Sequence, residues 1–425
     1  RRKESDAKNR RLPLPVDEID AIVLSHAHID HAGRLPLLAR HGFNGTIWCT
    51  AATRDLCAVM LADSAHIQEK DAEFLSRRQK EAIPPLYEMR DAARVAELMV
   101  GVPYARPFDV VPGVRATFFD AGHILGSACV SLECTEGGVT KRLVFSGDIG
   151  RWGLPIIRDP QSPAGADLVI MESTYGNRDH ESVEGAREHL ARVVRETAAR
   201  GGRILIPAFA VGRTQEIVYD LHALRLAKRI PALPIFVDSP LAISATTVFA
   251  EHPEVFDQTE NLVQKVQDLF EFEQVEYTRK VEESKRLNSI TTPIIIVAAS
   301  GMAEAERIVH HLIQGAGDPR NTILIVGFQA EHTTGRRIVE RQPEIKLFGD
   351  MVPLRAQVEI LNGYSAHADR TELLRWLDGV KAHTPALRDV YLVHGEPEAQ
   401  DALALRLGEL GYRAIAPEAG RRISF

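Results

Sequence analysis

A chain of 425 residues has room for two or three domains, and 45% apolar with 26% charged residues is the balance of a globular protein, not a disordered or fibrous one. A net charge of −7 excludes a generally basic coat for nucleic acid, but not a locally basic groove or a site whose positive charge comes from metal ions. The longest apolar runs, "PIIIVAA" and "TILIVG", are of strand length and too short to span a bilayer, so no membrane partner is expected. Cys49, Cys57, Cys129 and Cys134 form no CxxC and are too few for a disulfide framework. They read as small buried apolar residues, and the expected compartment is cytoplasmic. The chain opens on "RRKES" without a Met, so a partial or processed chain is expected.

In chain order, "IDAIVLS" (19–25) is the first strand-length apolar run, and it ends in a histidine cluster. Residues 51–80 and 86–100 carry helical periodicity and a helix-like mix of charges. "RATFFDAGHILGSACVSLEC" (115–134) reads as strand, loop and strand. "RLVFSGD" (142–148) and "DLVIMEST" (167–174) are further strands, each closing on a carboxylate. From 182 to 345 the strands "RILIPAF" (203–209), "PIFVDS" (234–239), "PIIIVAAS" (293–300) and "TILIVGF" (322–328) alternate with helical segments, the pattern of a parallel α/β sheet. The stretch 251–288, rich in Glu, Gln and Lys, reads as solvated helices. Strands return at "QVEILNG" (357–363) and "RDVYLVHG" (388–395). No internal repeat is visible, and the chain reads as one domain (1–180 and 346–425) interrupted by another (181–345).

His26-x-His28-x-Asp30-His31 puts three imidazoles and a carboxylate on one loop after a strand. A borderline cation such as zinc accepts these ligands, and alternate residues of a tight loop can point at two neighbouring metal positions. Such a cluster needs partners from other strand ends. His123 in "DAGHILGSA", Asp148 in "FSGDIG" and His394 in "YLVHGEPEA" stand at such ends. Singly, each reads equally well as a capping or core polar residue. Together they supply a third imidazole for one metal, a bridging carboxylate, and a third ligand for the other.

The set "HAHIDH", "GHILGS" and "SGDIG" resembles the metallo-β-lactamase superfamily, whose members bind two metals between two sheets. "MESTYG" (171–176), "YSAHAD" (364–369) and "LVHGE" (392–396) resemble motifs A, B and C of the β-CASP nucleases. "IPAFAVGRTQE", "VDSPLA", "ESKRLN", "ASGMAEAERIVHHL" and "VGFQAEHTTGR" match the same family, so the likeness spans nearly the whole chain. It is similar to the branch that holds the cleavage-and-polyadenylation endonuclease subunit and its bacterial relatives.

The resemblance implies an α/β fold: a metallo-β-lactamase αββα sandwich, with its N-terminal strands missing, interrupted by an inserted β-CASP domain with a mainly parallel sheet. It implies two Zn2+ per chain, one on His26, His28 and His123, the other on Asp30, His31 and His394, with Asp148 bridging. It further implies that Glu172 orients His367 beside the scissile phosphate. The physics agrees, since metals bring the pKa of bound water to about 7 but give no proton to the leaving oxygen. A His whose pKa is raised by a carboxylate can serve as that general acid, and Asp30 counts among the catalytic groups as well as the ligands. In this family an upstream Asp-Cys-Gly strand pair braces a ligand from behind; "RRKESDAKNR" resembles the stretch just after it, so that brace is expected to be absent from this chain.

A His at motif C, here His394, accompanies the RNA-processing members of the family, whereas the DNA-repair branch carries an apolar residue. Single-stranded RNA is therefore the implied substrate, with the site in a cleft between the two domains, and a homodimer is allowed. Arg213 begins a helix after a strand, a place suited to phosphate. Ser239, Ser284, Lys285, Ser300, Gln329 and Arg336 sit on similar loops, where open α/β sheets bind ligands. His310 and His311 are neighbours on a helix and face different ways, so one is expected to pack and no third metal is expected. The alternatives are a DNA-directed phosphodiesterase on the same scaffold, a small-molecule metallohydrolase, which would need neither the insert nor Glu172 with His367, and a non-catalytic scaffold, which would lose ligands.

Overall fold

The structure, a computed structural model, describes residues 9–12, 14–257 and 270–424. Residues 258–269 of the stretch expected to form solvated helices, and most of "RRKESDAKNR", lie outside the described residues. The chain divides into two compact units. The first comprises Arg1–Trp152, Asp159–Asp179 and His367–Phe425; the second comprises Gly153–Arg158 and His180–Ala366.

Among the described residues, the first unit holds two sheets. Strands Ala21–Val23, Thr46–Cys49 and Met99–Gly101 form a parallel three-stranded sheet. A mixed seven-stranded sheet runs Arg413–Ile415, Asp389–Val393, Leu168–Glu172, Val139–Phe145, Ala128–Glu136, Val114–Asp120, Phe108–Val111. Side chains alternate across each strand, so each sheet has two faces to cover. Val23 and Trp48 of the small sheet meet Phe118, Val130 and Phe145 of the large one. The other face of the large sheet, with Val144, Val169, Met171, Val390 and Leu392, is covered by Leu373, Trp376 and Leu377 of helix Arg370–Lys381 and by Leu403 and Leu407 of helix Pro397–Glu409. Helices Ala51–Gln79 and Met89–Leu98 pack on the small sheet. This is the expected αββα layering. One difference lies within the run 86–100, where the helix stops at Leu98 and Met99–Gly101 pairs with Ile47–Cys49, so available sheet edge overrides helical periodicity.

The second unit is built on a six-stranded sheet whose pairings are all parallel, in the order Val275–Tyr277, Ile235–Val237, Ile295–Ala298, Ile204–Pro207, Thr322–Ile325, Gln357–Ile360. Both faces are buried, which is why its strands read as unbroken apolar runs. Ile204, Ile206, Ile295, Val297 and Leu324 pack with helices Val183–Ala199 and Arg213–Leu226 on one face. Leu205, Ile296, Ile323 and Ile325 pack with helices Glu306–Gly315 and Thr334–Val339 on the other. "QVEILNG" was expected to belong to the closing part of the interrupted domain. It is instead the edge strand here, in register with Thr322–Ile325, because Val358 completes the cluster around Ile323 and Ile345. The chain re-enters the first unit at His367, beyond the expected position 346.

Candidate active site and metal centre

Every expected ligand lies in the first unit, at the ends of strands. Three parallel neighbours of the large sheet present their carboxyl ends side by side: Phe145 pairs with Ile170, and Val393 with Glu172. Asp148, Glu172 and His394 thus leave the same edge. The small sheet delivers the histidine cluster. Past Val23, Leu24 N donates to Trp48 O at 2.8 Å, and Ser25 O accepts from Ala128 N at 2.8 Å, which ties the loop to both sheets. His28 then caps a single helical turn, Ile29–Ala32. Successive residues of a helix diverge by about 100°, so Asp30 and His31 take different partners.

His26 Nε2 and His31 Nε2 approach Asp148 Oδ2 at 3.4 and 3.2 Å, and His123 Nε2 lies 3.6 Å from the same oxygen. His123 Nε2 and His28 Nδ1 are 3.0 Å apart. His394 Nε2 is 3.4 Å from Asp30 Oδ2, and its Nδ1 is 3.6 Å from Asp148 Oδ1. The potential ligand atoms of His26, His28, His123 and Asp148 all fall within 4.8 Å of one another, as do those of Asp30, His31 and His394. The loops of His123 and Asp148 touch backbone to backbone. Gly150 N donates to Ala121 O at 2.7 Å, and a Cβ on Gly150 would sit 1.6 Å from Gly122 O, so only glycine fits.

These residues suit a cation. His26 Nε2, His31 Nε2 and Asp148 Oδ1 are buried without a hydrogen-bond partner among the described residues. Such atoms are costly to bury unless something ligates them. Burial holds His26 and His123 below the usual imidazole pKa and brings His28 down to about 3, which keeps their lone pairs open. Burial alone would raise the Asp148 carboxyl, but the surrounding imidazoles, His26 first, outweigh it and hold it well below the carboxylate range. Mixed imidazole and carboxylate donors are those zinc accepts.

Beside this group lies a second arrangement. Glu172 is fully buried. Its carboxylate accepts from Ile149 N at 2.6 Å and from Thr174 Oγ1 at 2.6 Å, and meets His367 Nδ1 at 3.2 and 3.3 Å. Burial lowers the His367 pKa, but the Glu172 charge and hydrogen bond outweigh it, so the net shift is upward. The His367 ring stacks on His394 at 5.5 Å and lies 4.5 Å from the His123 ring. Ala368 N donates to Ile149 O at 2.7 Å, which fixes the loop.

Three hydroxyls escaped the reading of the sequence. Ser25 Oγ is 3.1 Å from His26 Nδ1. Ser127 Oγ accepts from the backbone of His123 and Ile124 at 3.0 and 3.2 Å. Thr174 Oγ1 lies 3.0 Å from His394 Nδ1 and bonds Glu172 as well. All three stand within four positions of an expected site residue, in "SHAH", "GHILGS" and "EST". The signal available was the need of each ligand for a second partner.

The residues expected to bind substrate lie at the carboxyl ends of the second unit's strands or on the segments that follow, and most are committed inside that unit. Arg213 is buried and paired with Glu216. Ser239 caps helix Pro240–Glu251. Ser284 Oγ donates to Asp238 Oδ2 at 2.5 Å, and Gln329 Nε2 donates to Gly301 O at 2.9 Å. Ser300 Oγ accepts from Glu304 N at 3.2 Å, and Arg336 Nε donates to Glu340 at 3.0 Å. Lys285 is exposed. Of the paired histidines, His311 is buried and 2.7 Å from Asp238 Oδ2, while His310 lies against the Phe348 ring.

An αββα sandwich with clustered His and Asp at its strand ends defines a metal-dependent hydrolase of the metallo-β-lactamase type. Family models agree along the chain: the beta-lactamase superfamily domain over residues 2–200, the Beta-Casp domain over 214–338, and the Zn-dependent metallo-hydrolase RNA specificity domain over 351–417. Ribonuclease TTHA0252 of Thermus thermophilus is 35% identical over 400 residues, which is 93% of this chain and 85% of that protein. Transcription termination factor FttA of Methanosarcina mazei is 33% identical over 398 residues, and FttA of Pyrococcus abyssi 33% over 408; these cover 91% and 92% of this chain but 60% of each relative. The chain belongs to the β-CASP family of metallo-β-lactamase-fold nucleases. Among the described residues, no helix is long and apolar enough to cross a membrane.

Proposed function

We propose that the chain is a zinc-dependent ribonuclease that hydrolyses phosphodiester bonds of single-stranded RNA. The observation that carries this reading is the Glu172–His367 pair beside the histidine–aspartate cluster. His26, His28, His123 and Asp148 would hold one ion, and Asp30, His31 and His394 the other, with Asp148 facing both. Zinc so held supplies the Lewis acidity that makes water nucleophilic at neutral pH and offsets charge developing on phosphorus. His367, held by Glu172 through Nδ1, carries at Nε2 the proton for the leaving oxygen. Thr174 fixes Glu172 and His394 in one line of hydrogen bonds. Lys285, Ser300 and Arg336 would meet the substrate, while Arg213, Ser239, Ser284 and Gln329 shape the loops around them. RNA is supported by the RNA specificity domain matched over 351–417 and by the ribonuclease among the relatives.

The test is metal analysis of the purified protein, followed by cleavage of a labelled RNA oligonucleotide and its DNA counterpart by the wild type and His367→Ala. Bound zinc, preference for RNA, and a loss of roughly 10²–10⁴-fold in kcat for the variant are expected. Full activity in the variant would refute the general acid, and preference for DNA would refute the substrate. RNAs ending in 5′-triphosphate, 5′-monophosphate and 5′-hydroxyl separate internal cleavage from cleavage at the 5′ end.

A further inference from the structure

Strands Ile204–Pro207 and Ile295–Ala298 are parallel neighbours, with Pro207 beside Ala298. The chain leaves them toward opposite faces of the sheet. After the first, helix Arg213–Leu226 packs Ile217, Leu221 and Leu224 against Ile204 and Ile206. After the second, helix Glu306–Gly315 packs Ile308, Val309 and Leu312 against Leu205 and Ile296. Where adjacent parallel strands part in this way, a crevice opens at their carboxyl ends, and sheets of this class bind ligands there. The two loops that leave these ends carry Phe209 on one side and Ser300 and Gly301 on the other.

Phe209 is an unusual residue for such a place. It is 39% exposed. Phe74 and Phe348 are exposed too, but Phe74 lies on helix Ala51–Gln79 and Phe348 in the turn between Leu347 and Asp350. The Phe209 ring is held against Gly301, where an added Cβ would lie 2.7 Å from a ring carbon, so the missing side chain is what admits the ring. Its own carbonyl accepts from Thr214 Oγ1 at 2.8 Å and Thr214 N at 3.3 Å. Gly301 is fixed in turn, since its carbonyl accepts from Gln329 Nε2 at 2.9 Å. The result is an aromatic ring with fixed backing and solvent access. A partly exposed ring with rigid backing suits a flat aromatic ligand carried on a polar strand, and every nucleobase has such a face whatever its sequence.

We propose that Phe209 is a stacking platform for one base of the bound RNA, a contact that rests on the ribonuclease reading above. A platform that holds the strand equally before and during the chemical step acts on KM and leaves kcat alone. Loss of one base–aromatic stack is worth a factor of roughly 5- to 150-fold in binding.

The experiment is steady-state cleavage of a single-stranded RNA series, each member carrying one abasic position, by the wild type, Phe209→Ala, Phe209→Leu and Phe209→Tyr. For the intact RNA, KM should rise by that factor in Phe209→Ala and Phe209→Leu, with kcat unchanged, and should stay near wild type in Phe209→Tyr. For the wild type, one abasic position should raise KM, and in Phe209→Ala that position should no longer matter. Phe209→Leu keeps bulk without a π face, so near-wild-type KM in that variant would assign the residue to packing and overturn the platform. An abasic profile unchanged by Phe209→Ala would overturn it as well. If the wild type cleaves no RNA, the ribonuclease reading falls first and the platform with it; RNA cleavage with an unaltered KM in Phe209→Ala removes only the platform.

Discussion

Thr174 has one proton and two demanding neighbours. Its hydroxyl donates to the Glu172 carboxylate and leaves its lone pairs toward His394 Nδ1, so it sets the tautomer of His394 and the aim of the carboxylate together. Thr174→Val keeps the shape and removes both bonds. We expect kcat to fall by roughly 10–100-fold and zinc to be lost more readily to a chelator, with Thr174→Ser close to wild type. Kinetics and metal retention during chelator titration check this. In the second unit, Asp238 gathers partners in a comparable way. Burial pushes its carboxyl up, but His311, Ser284, Thr278 and Arg307 outweigh burial and bring it down to about 2. A carboxyl depressed in the folded state stabilises above its unfolded pKa and loses that contribution as pH falls toward the folded one. Asp238→Asn should therefore cost about 3 kcal/mol near neutrality. The gap to wild type should begin to close below the ordinary pKa of 3.8 and be largely gone near pH 2. Urea midpoints of both proteins across that range read it directly.

Among the elements, the segment following Glu172 and the one following His367 are sewn together. Tyr175 bridges to Asp369, Arg178 O accepts from Arg370 N at 3.0 Å, and Asp179 receives the Arg370 guanidinium and the Thr371 hydroxyl, the latter at 3.0 Å. The side chain of Asp179 is 43% exposed, so its bonds add little stability, yet they set the start of the helix behind His367. Asp179→Ala should lower kcat about tenfold through misplacement of His367 while zinc content and melting temperature hold. A matching loss of zinc would contradict it. The gathering of His26, His28, Asp30, His31, His123, Asp148 and His394, and the Glu172–His367 pair, were legible in the sequence because few residue types can do such chemistry, and they recur at the ends of apolar runs. The sheet membership of Gln357–Ile360 was not legible, since its alternation suits either sheet and only register against Thr322–Ile325 decides. The buried roles of Arg213, Ser284 and Gln329 were hidden for a like reason. Residue type advertises a phosphate contact, while the partners that claim the side chain, such as Asp238 for Ser284, are brought close only by folding.

For the whole molecule, all the proposed metal donors belong to one compact unit, although Asp148 and His367 are separated in the chain by nearly all of the other. Removing metal should act on that unit alone, because a ligand stabilises only the fold that binds it. Hydrogen exchange after chelation should speed up in Val139–Phe145, Leu168–Glu172 and Asp389–Val393 and stay unchanged in Ile295–Ala298. Equal loosening of both units would contradict the separation.

The order of the donors along the chain has a consequence for synthesis. His26, Asp148 and Glu172 leave the ribosome before the six-stranded unit is made, and His367 and His394 only after it. A growing chain therefore carries an incomplete set of these residues until the whole six-stranded unit has been made and His394 has emerged. A nuclease that needs those two histidines would thereby stay silent toward its own message and the ribosomal RNA while the six-stranded unit is being made.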